Sequence, residues 1–199
     1  MTPYPKRLIE VDLPIARISA HARREKSIRH GHISTLHIWW ARRPLAACRA
    51  VICAALWPDP ADPNCPQAFR DAAARQIMDF ARRADGDMKL LATSSEEGKA
   101  HWAALVKSPI SDSPTDETDL LTLRAALLDF IADFANWDNS TSLPYLATSR
   151  ALTQAAHEAL GGEPGTRPLV VDPFAGGGAI PLEALRVGAD VFASDLNPV

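Results

Sequence analysis

Three consecutive glycines, placed between an apolar β-branched run and a helix-forming run, constrain this chain more than any other feature. The segment reads Val171-Asp172-Pro173-Phe174-Ala175-Gly176-Gly177-Gly178-Ala179-Ile180-Pro181. Pro168-Leu169-Val170-Val171-Asp172 has the texture of a short strand, and residues 179–187 that of a helix stopped by Gly188. Ala189-Asp190-Val191-Phe192-Ala193-Ser194-Asp195 reads as a second strand. Strand, tight loop, helix and strand in that order make a β-loop-α-β unit, which needs a parallel sheet to be buried. Glycines at such a loop let the backbone turn sharply and let a ligand lie directly on the main chain. The helix start adds N–H donors and a partial positive charge. Asp195 lies 17 residues after Gly178, at the tip of the second strand. A carboxylate there accepts the hydroxyls of an adenosine ribose.

Two better-known glycine loops fit poorly. A phosphate-binding P-loop requires Gly-Lys-Ser/Thr at its end, and none follows here. The dinucleotide pattern requires a small residue where Pro181 stands, so close helix–strand packing would be disturbed. Pro181 is instead well placed for the first turn of a helix.

The rest of the chain reads as helical. An apolar pattern from Leu8 through Ile18, ending in Arg23-Arg24-Glu25-Lys26, predicts a short helix within 8–26, and 27–35 reads as a loop. Pro44 followed by Leu45, Cys48, Ile52 and Leu56 predicts a helix over about 43–57. Four prolines from Pro58 to Pro66 suggest a rigid linker. Helices are predicted over 67–84 (Phe69, Ala73, Ile77, Phe80), 95–107 (capped by Ser94 or Ser95) and 119–136 (Leu120, Leu123, Leu127, Ile131, Phe134). A further helix is predicted over about 148–160, ending at Gly161-Gly162. The expected organisation is a basic segment 1–57, a Pro-rich linker 58–66, a helical region 67–160, and the α/β unit 168–199.

Charge divides along the same line. Residues 1–57 hold ten Lys and Arg against three Asp and Glu, a formal +7, and the remainder carries −10. Such asymmetry suits a segment that meets a polyanion. The competing expectation is a basic helix packed on the protein's own acidic part. Cys48, Cys53 and Cys65 are too few and too irregular for a disulfide framework or a zinc site, so buried, reduced thiols are expected. No run of about 18 apolar residues and no secretory h-region is present, so neither a membrane span nor export is expected, and a cytoplasmic protein is.

Two aromatic or ligating clusters have alternative readings. His30, His32 and His37 have a spacing open to a metal but lack a fixed carboxylate, and loop histidines are common. Trp39 and Trp40 stand among Arg29, Arg42 and Arg43, an arrangement for stacking on a base while arginines hold phosphates. They equally suit one core and one half-exposed ring. Trp57, Trp102 and Trp137 look like core residues at helix ends.

The Asp172-Pro173-Phe174-Ala175-Gly176-Gly177-Gly178 string resembles motif I of S-adenosylmethionine-dependent amino-methyltransferases acting on DNA, and Asp195-Leu196-Asn197-Pro198 resembles motif II. Residues 15–26 and 30–45 are similar to the DUF1156 domain at the front of large adenine-specific DNA methylases that also carry a zinc ribbon. The resemblance covers 7–57 and 168–199 and is weak between. It implies a Rossmann-like fold, S-adenosylmethionine as cofactor and DNA as substrate, in a restriction or phage-defence setting. By position it implies that Asp172, Phe174, Gly176 and Gly178 line the methionine side of the cofactor and that Asp195 binds the ribose, with Pro173 and Asn197 also among the cofactor-binding residues. His37 through Leu45 resembles motif X, which implies that Arg42 or Arg43 pairs with the cofactor carboxylate. Arg23, Arg24, Arg29 and Trp40 are the candidates for nucleic-acid contact.

The family's Asp/Asn/Ser-Pro-Pro-Tyr tetrapeptide, which holds the target amine of a flipped base, is absent. Ser142-Leu143-Pro144-Tyr145 is the nearest string, and its single proline before a helix reads as a turn. The zinc-ribbon cysteines are absent too. Two parallel strands do not bury both faces of a sheet alone. The expectation is therefore the N-terminal piece of a longer enzyme, inactive by itself, with a C-terminal half or partner subunit supplying the rest. An RNA-directed methyltransferase and a non-catalytic nucleic-acid-binding module are the alternatives.

Overall fold

The computed structural model describes residues 4–28, 43–87 and 89–196. Among the described residues, seven α-helices and a 3-10 turn (Trp137–Asn139) precede the α/β unit: α1 (Leu8–Val11), α2 (Ile15–Ser27), α3 (Leu45–Leu56), α4 (Gln67–Gly86), α5 (Glu96–Lys107), α6 (Glu117–Ala135) and α7 (Leu143–Ala159). Strand β1 (Leu169–Asp172), helix α8 (Ala179–Val187) and strand β2 (Asp190–Ala193) follow. The described chain is thus mixed α/β, mostly helical, with one two-stranded parallel sheet.

The apolar spacings account for the helices. Phe69, Ala73, Ile77 and Phe80 of α4 and Leu123, Leu127, Ile131 and Phe134 of α6 are all buried. Aromatic rings fill the centre, where α4, α5, α6 and α7 meet. Phe80 lies edge-on to Phe130 at 5.0 Å and to Tyr145 at 4.8 Å, and Phe134 stacks on Tyr145 at 5.8 Å. Ser95 and Asp116 cap α5 and α6 through the N–H groups of Gly98 and Asp119. Cys48, Cys53 and Cys65 are buried free thiols, and burial raises Cys48 to about 11 and Cys65 to about 12.

Two predicted elements differ. The single helix expected within 8–26 is two, because Pro14 lacks an N–H and disfavours helical backbone in the residue before it. The Ser142–Tyr145 string is not a turn: Ser142 is the N-cap residue of α7, and Pro144 sits in its first turn, where its missing N–H costs nothing. The helix therefore starts at Leu143, and Tyr145 belongs to the core.

The Pro-rich stretch 58–66 is a packed corner. Asp59 is buried, forms a two-pronged pair with Arg124 of α6 through Nε (2.7 Å) and Nη2, and takes a backbone bond from its own N–H to the Lys6 carbonyl. Leu8 N–H donates to the Trp57 carbonyl, so the N-terminus is stitched to the exit of α3. Helix α3 is central and touches α1, α2, α6, α7 and α8.

Candidate functional site

Strand β1 delivers Asp172 to the loop, and α8 leaves it. Residues pair in register from Leu169 with Asp190 to Asp172 with Ala193. Alternation along the strands turns Val170 and Val191 onto α8 and the helical core, and leaves Leu169, Val171 and Phe192 exposed on the other face.

The loop is held by short-range bonds. Phe174 N–H donates to Asp172 Oδ1 at 3.1 Å, and Gly178 N–H donates to the Ala175 carbonyl at 2.8 Å. Cross-links tie it to β2: Ala175 N–H to the Ser194 carbonyl, Ser194 N–H to the Asp172 carbonyl, both 3.0 Å, and Ser194 Oγ to the Pro173 carbonyl at 3.4 Å. Gly176 N–H donates to Asp195 Oδ2 at 2.6 Å. Gly178 is the N-cap residue of α8 at φ 73°, a left-handed backbone that any Cβ would strain, and the space beside it is open. Gly176 also has positive φ.

The structure thus brings together Asp172, Pro173, Phe174, Gly176, Gly178 and Asp195. Phe174 is 66% exposed over the loop. Asp172 is buried, and its Oδ2 has no hydrogen-bond partner among the described residues. An unpaired buried carboxylate oxygen costs roughly 1–3 kcal/mol, so this atom calls for a donor.

The start of α3 lies within electrostatic range. Burial is the main influence on the Cys48 thiol, followed by Glu183, Arg43, Glu25 and Asp172. Arg43 is exposed and stands two residues before the start of α3. The first turn of α3 is clamped by Glu25 at the end of α2: its two oxygens accept the N–H groups of Leu45 and Ala46, both at 2.9 Å. A carboxylate at a helix N-terminus is favoured by the peptide dipoles. Arg42, Asn197, Arg29, Trp40 and the three histidines of the possible metal cluster lie outside the described residues.

Sequence spacing did not single out Glu25, Arg49 or Glu183. Arg49 and Glu183 form a fully buried pair between α3 and α8, at 2.6 Å. The available signal was Arg49 alone in the apolar stretch 45–56 and Glu183, with Arg186, in the short apolar stretch 179–187, since an unpaired charge is almost never buried.

Of the nucleic-acid candidates, Arg23 is exposed, whereas Arg24 pairs with Asp138 at 2.8 Å and with Asn136 Oδ1 at 3.2 Å. Arg17 on the same helix bridges Asp129 and, at 2.7 Å, Asp133 of α6. Two basic residues of α2 thus meet the protein's own acidic residues, Arg17 those on α6 and Arg24 one on the turn after it. No described helix is long and apolar enough to cross a membrane.

Residues 12–80 match the sequence model of DUF1156, described as a protein of unknown function. The match spans α2, α3 and most of α4, and it supports that part of the resemblance; the description names no activity. No curated protein and no solved structure matches the chain.

Proposed function

We propose that the loop between β1 and α8 binds S-adenosylmethionine, and that the chain is the cofactor-holding front of a DNA adenine-N6 methyltransferase of Rossmann-like fold. The observation that carries the reading is Asp172: a buried carboxylate with one unpaired oxygen, beside a left-handed glycine loop that opens a helix. The ammonium of the cofactor's methionine end supplies N–H donors of the kind that oxygen lacks. Gly176 and Gly178 let the ligand approach the main chain, Pro173 and Phe174 flank it, and Asp195 at the tip of β2 accepts ribose hydroxyls. Arg43, with Arg42 beside it in sequence, offers a guanidinium to the methionine carboxylate. When bound, the cofactor supplies an electrophilic methyl group on a sulfonium. These residues contribute position and orientation rather than proton transfer.

The uncovered apolar face of a parallel sheet favours a partner segment that completes the sheet, and the amine-holding tetrapeptide would come with it. DNA is the proposed substrate of that assembly, with Arg23, exposed on α2, as a described candidate for contact.

Titration calorimetry of the chain with S-adenosylmethionine tests the reading. Binding is expected, and Asp195→Ala weakens it at least about tenfold, the value of a lost charge-assisted hydrogen bond. A folded wild-type chain that takes up no S-adenosylmethionine, alone or joined to its completing segment, overturns it.

A further inference from the structure

Helix α8 carries the glycine loop on its N-terminus, and a single carboxylate in its second turn fixes how it sits. Glu183 is 0% exposed and Arg49 is 1% exposed. Arg49 Nε donates to Glu183 Oε2 at 2.6 Å. Its Nη1 donates to the carbonyls of Phe134 and, at 3.2 Å, Asn136, which close the end of α6. The guanidinium carbon also stands 4.9 Å from the centre of the Phe134 ring. On its other side Glu183 accepts from Arg186 Nε, at 3.2 Å to Oε1, and Arg186 Nη1 donates to the Ser140 carbonyl. One carboxylate is therefore held from α3 directly, and from the turn after α6 through Arg186.

Burying such a pair gains little over well-packed apolar side chains, because desolvation offsets the attraction. What an ion pair adds is direction. Apolar contacts tolerate rotation of a helix about its axis, whereas a guanidinium fork bonded to one carboxylate and two carbonyls does not. Glu183 lies five residues after Gly178, so the rotation it sets is passed rigidly to the start of α8. Arg49 sits in the second turn of α3, whose first turn is clamped by Glu25.

We infer that Arg49 and Glu183 are positioning residues: they use the helical N-terminal region as a platform that sets the rotation of α8 and hence the geometry of the ligand loop. Its consequence for ligand affinity rests on the reading of that loop as a cofactor site. A pair that only filled space would be replaceable by apolar side chains of similar volume without effect on the loop.

Hydrogen–deuterium exchange of the full chain tests this with the double variant Arg49→Met/Glu183→Leu. The double variant leaves Arg186 without its carboxylate, so it is expected to fold with a slightly lower urea midpoint than wild type. Amides of 174–187 should nevertheless exchange at least about tenfold faster, with those of α4 and α7 unchanged, and S-adenosylmethionine should bind about tenfold more weakly. Wild-type protection over 174–187 in the double variant overturns the inference, and so does acceleration spread evenly over all helices. Should the double variant fail to fold, Arg49→Lys keeps the charge and removes the fork. Faster exchange confined to 174–187 is then the expected result, and unchanged exchange the refuting one. The exchange measurement needs no ligand. A wild-type chain that binds no cofactor would therefore refute the cofactor reading while the positioning inference was still decided.

Discussion

Glu25 spans 20 residues of sequence to accept two backbone N–H groups of α3, and it is buried while doing so. Removing a helix cap costs about 0.5–2 kcal/mol, and stranding buried donors adds to that. Glu25→Ala is expected to lower the unfolding free energy by about 2 kcal/mol in urea titration, with Glu25→Gln costing less because one acceptor oxygen remains. A second residue-scale prediction concerns His101, whose Nδ1 contacts Asp129 Oδ2. The hydrogen bond to Asp129 outweighs burial and raises the imidazole above its usual value of 6.5. Burial alone would raise Asp129, but the His101 bond and the Arg17 charge prevail and hold it low. A raised histidine stabilises fully below its unfolded pKa and loses that contribution as pH climbs through its folded pKa. His21 works in the opposite sense, since burial lowers it. The fall in stability from about pH 6 to about pH 8.5 should therefore be smaller in His101→Gln than in wild type. The difference should be under about 1 kcal/mol, because both partners are partly exposed. Equal pH slopes in the two proteins would show that the contact contributes nothing.

At the scale of elements, helix existence was legible wherever one face repeats, as in Phe69, Ala73, Ile77 and Phe80. The β-loop-α-β unit was legible because glycine, β-branched residues and chain order agree there. What was not legible needed partners distant in sequence. Arg49 in α3 looks like a solvent-facing charge until Glu183 is placed against it. The first turn of α7 looks like a loop because Pro144 is read as a breaker, although a first-turn proline gives up no bond. The burial of Tyr145 there depends on Phe80, Phe130 and Phe134 from two other helices. Tyr145→Ala should cost about 3–5 kcal/mol of stability, as for other buried aromatic truncations. Tyr145→Phe should cost no more than about 1 kcal/mol, since the hydroxyl makes one long bond, 3.4 Å, to the Leu90 carbonyl. A tyrosine engaged with a ligand would reverse that order, with binding sensitive to the hydroxyl and folding indifferent.

At the scale of the molecule, the described residues cover the sheet on one face. Leu169, Val171 and Phe192 lie on the other face at 62%, 56% and 59% exposure. Contiguous exposed apolar side chains on a strand pair promote association. Sedimentation velocity of the chain should show concentration-dependent self-association that Val171→Lys/Phe192→Lys abolishes. Those substitutions should change the unfolding free energy by no more than about 0.5 kcal/mol, because both side chains are more than half exposed. A wild-type chain that stays monomeric at high concentration would show that the face is tolerated bare. The pair between α3 and α8 also bears on how the protein is made. Its members stand 134 residues apart. A ribosome adding about 5–20 residues each second releases Arg49 some ~7 to ~27 s before Glu183. Through that interval the helices of the platform are expected to emerge before the partner of Arg49 exists. Synthesis of Glu183 then closes the pair, so α8 with its glycine loop is expected to lock after the helices it packs on.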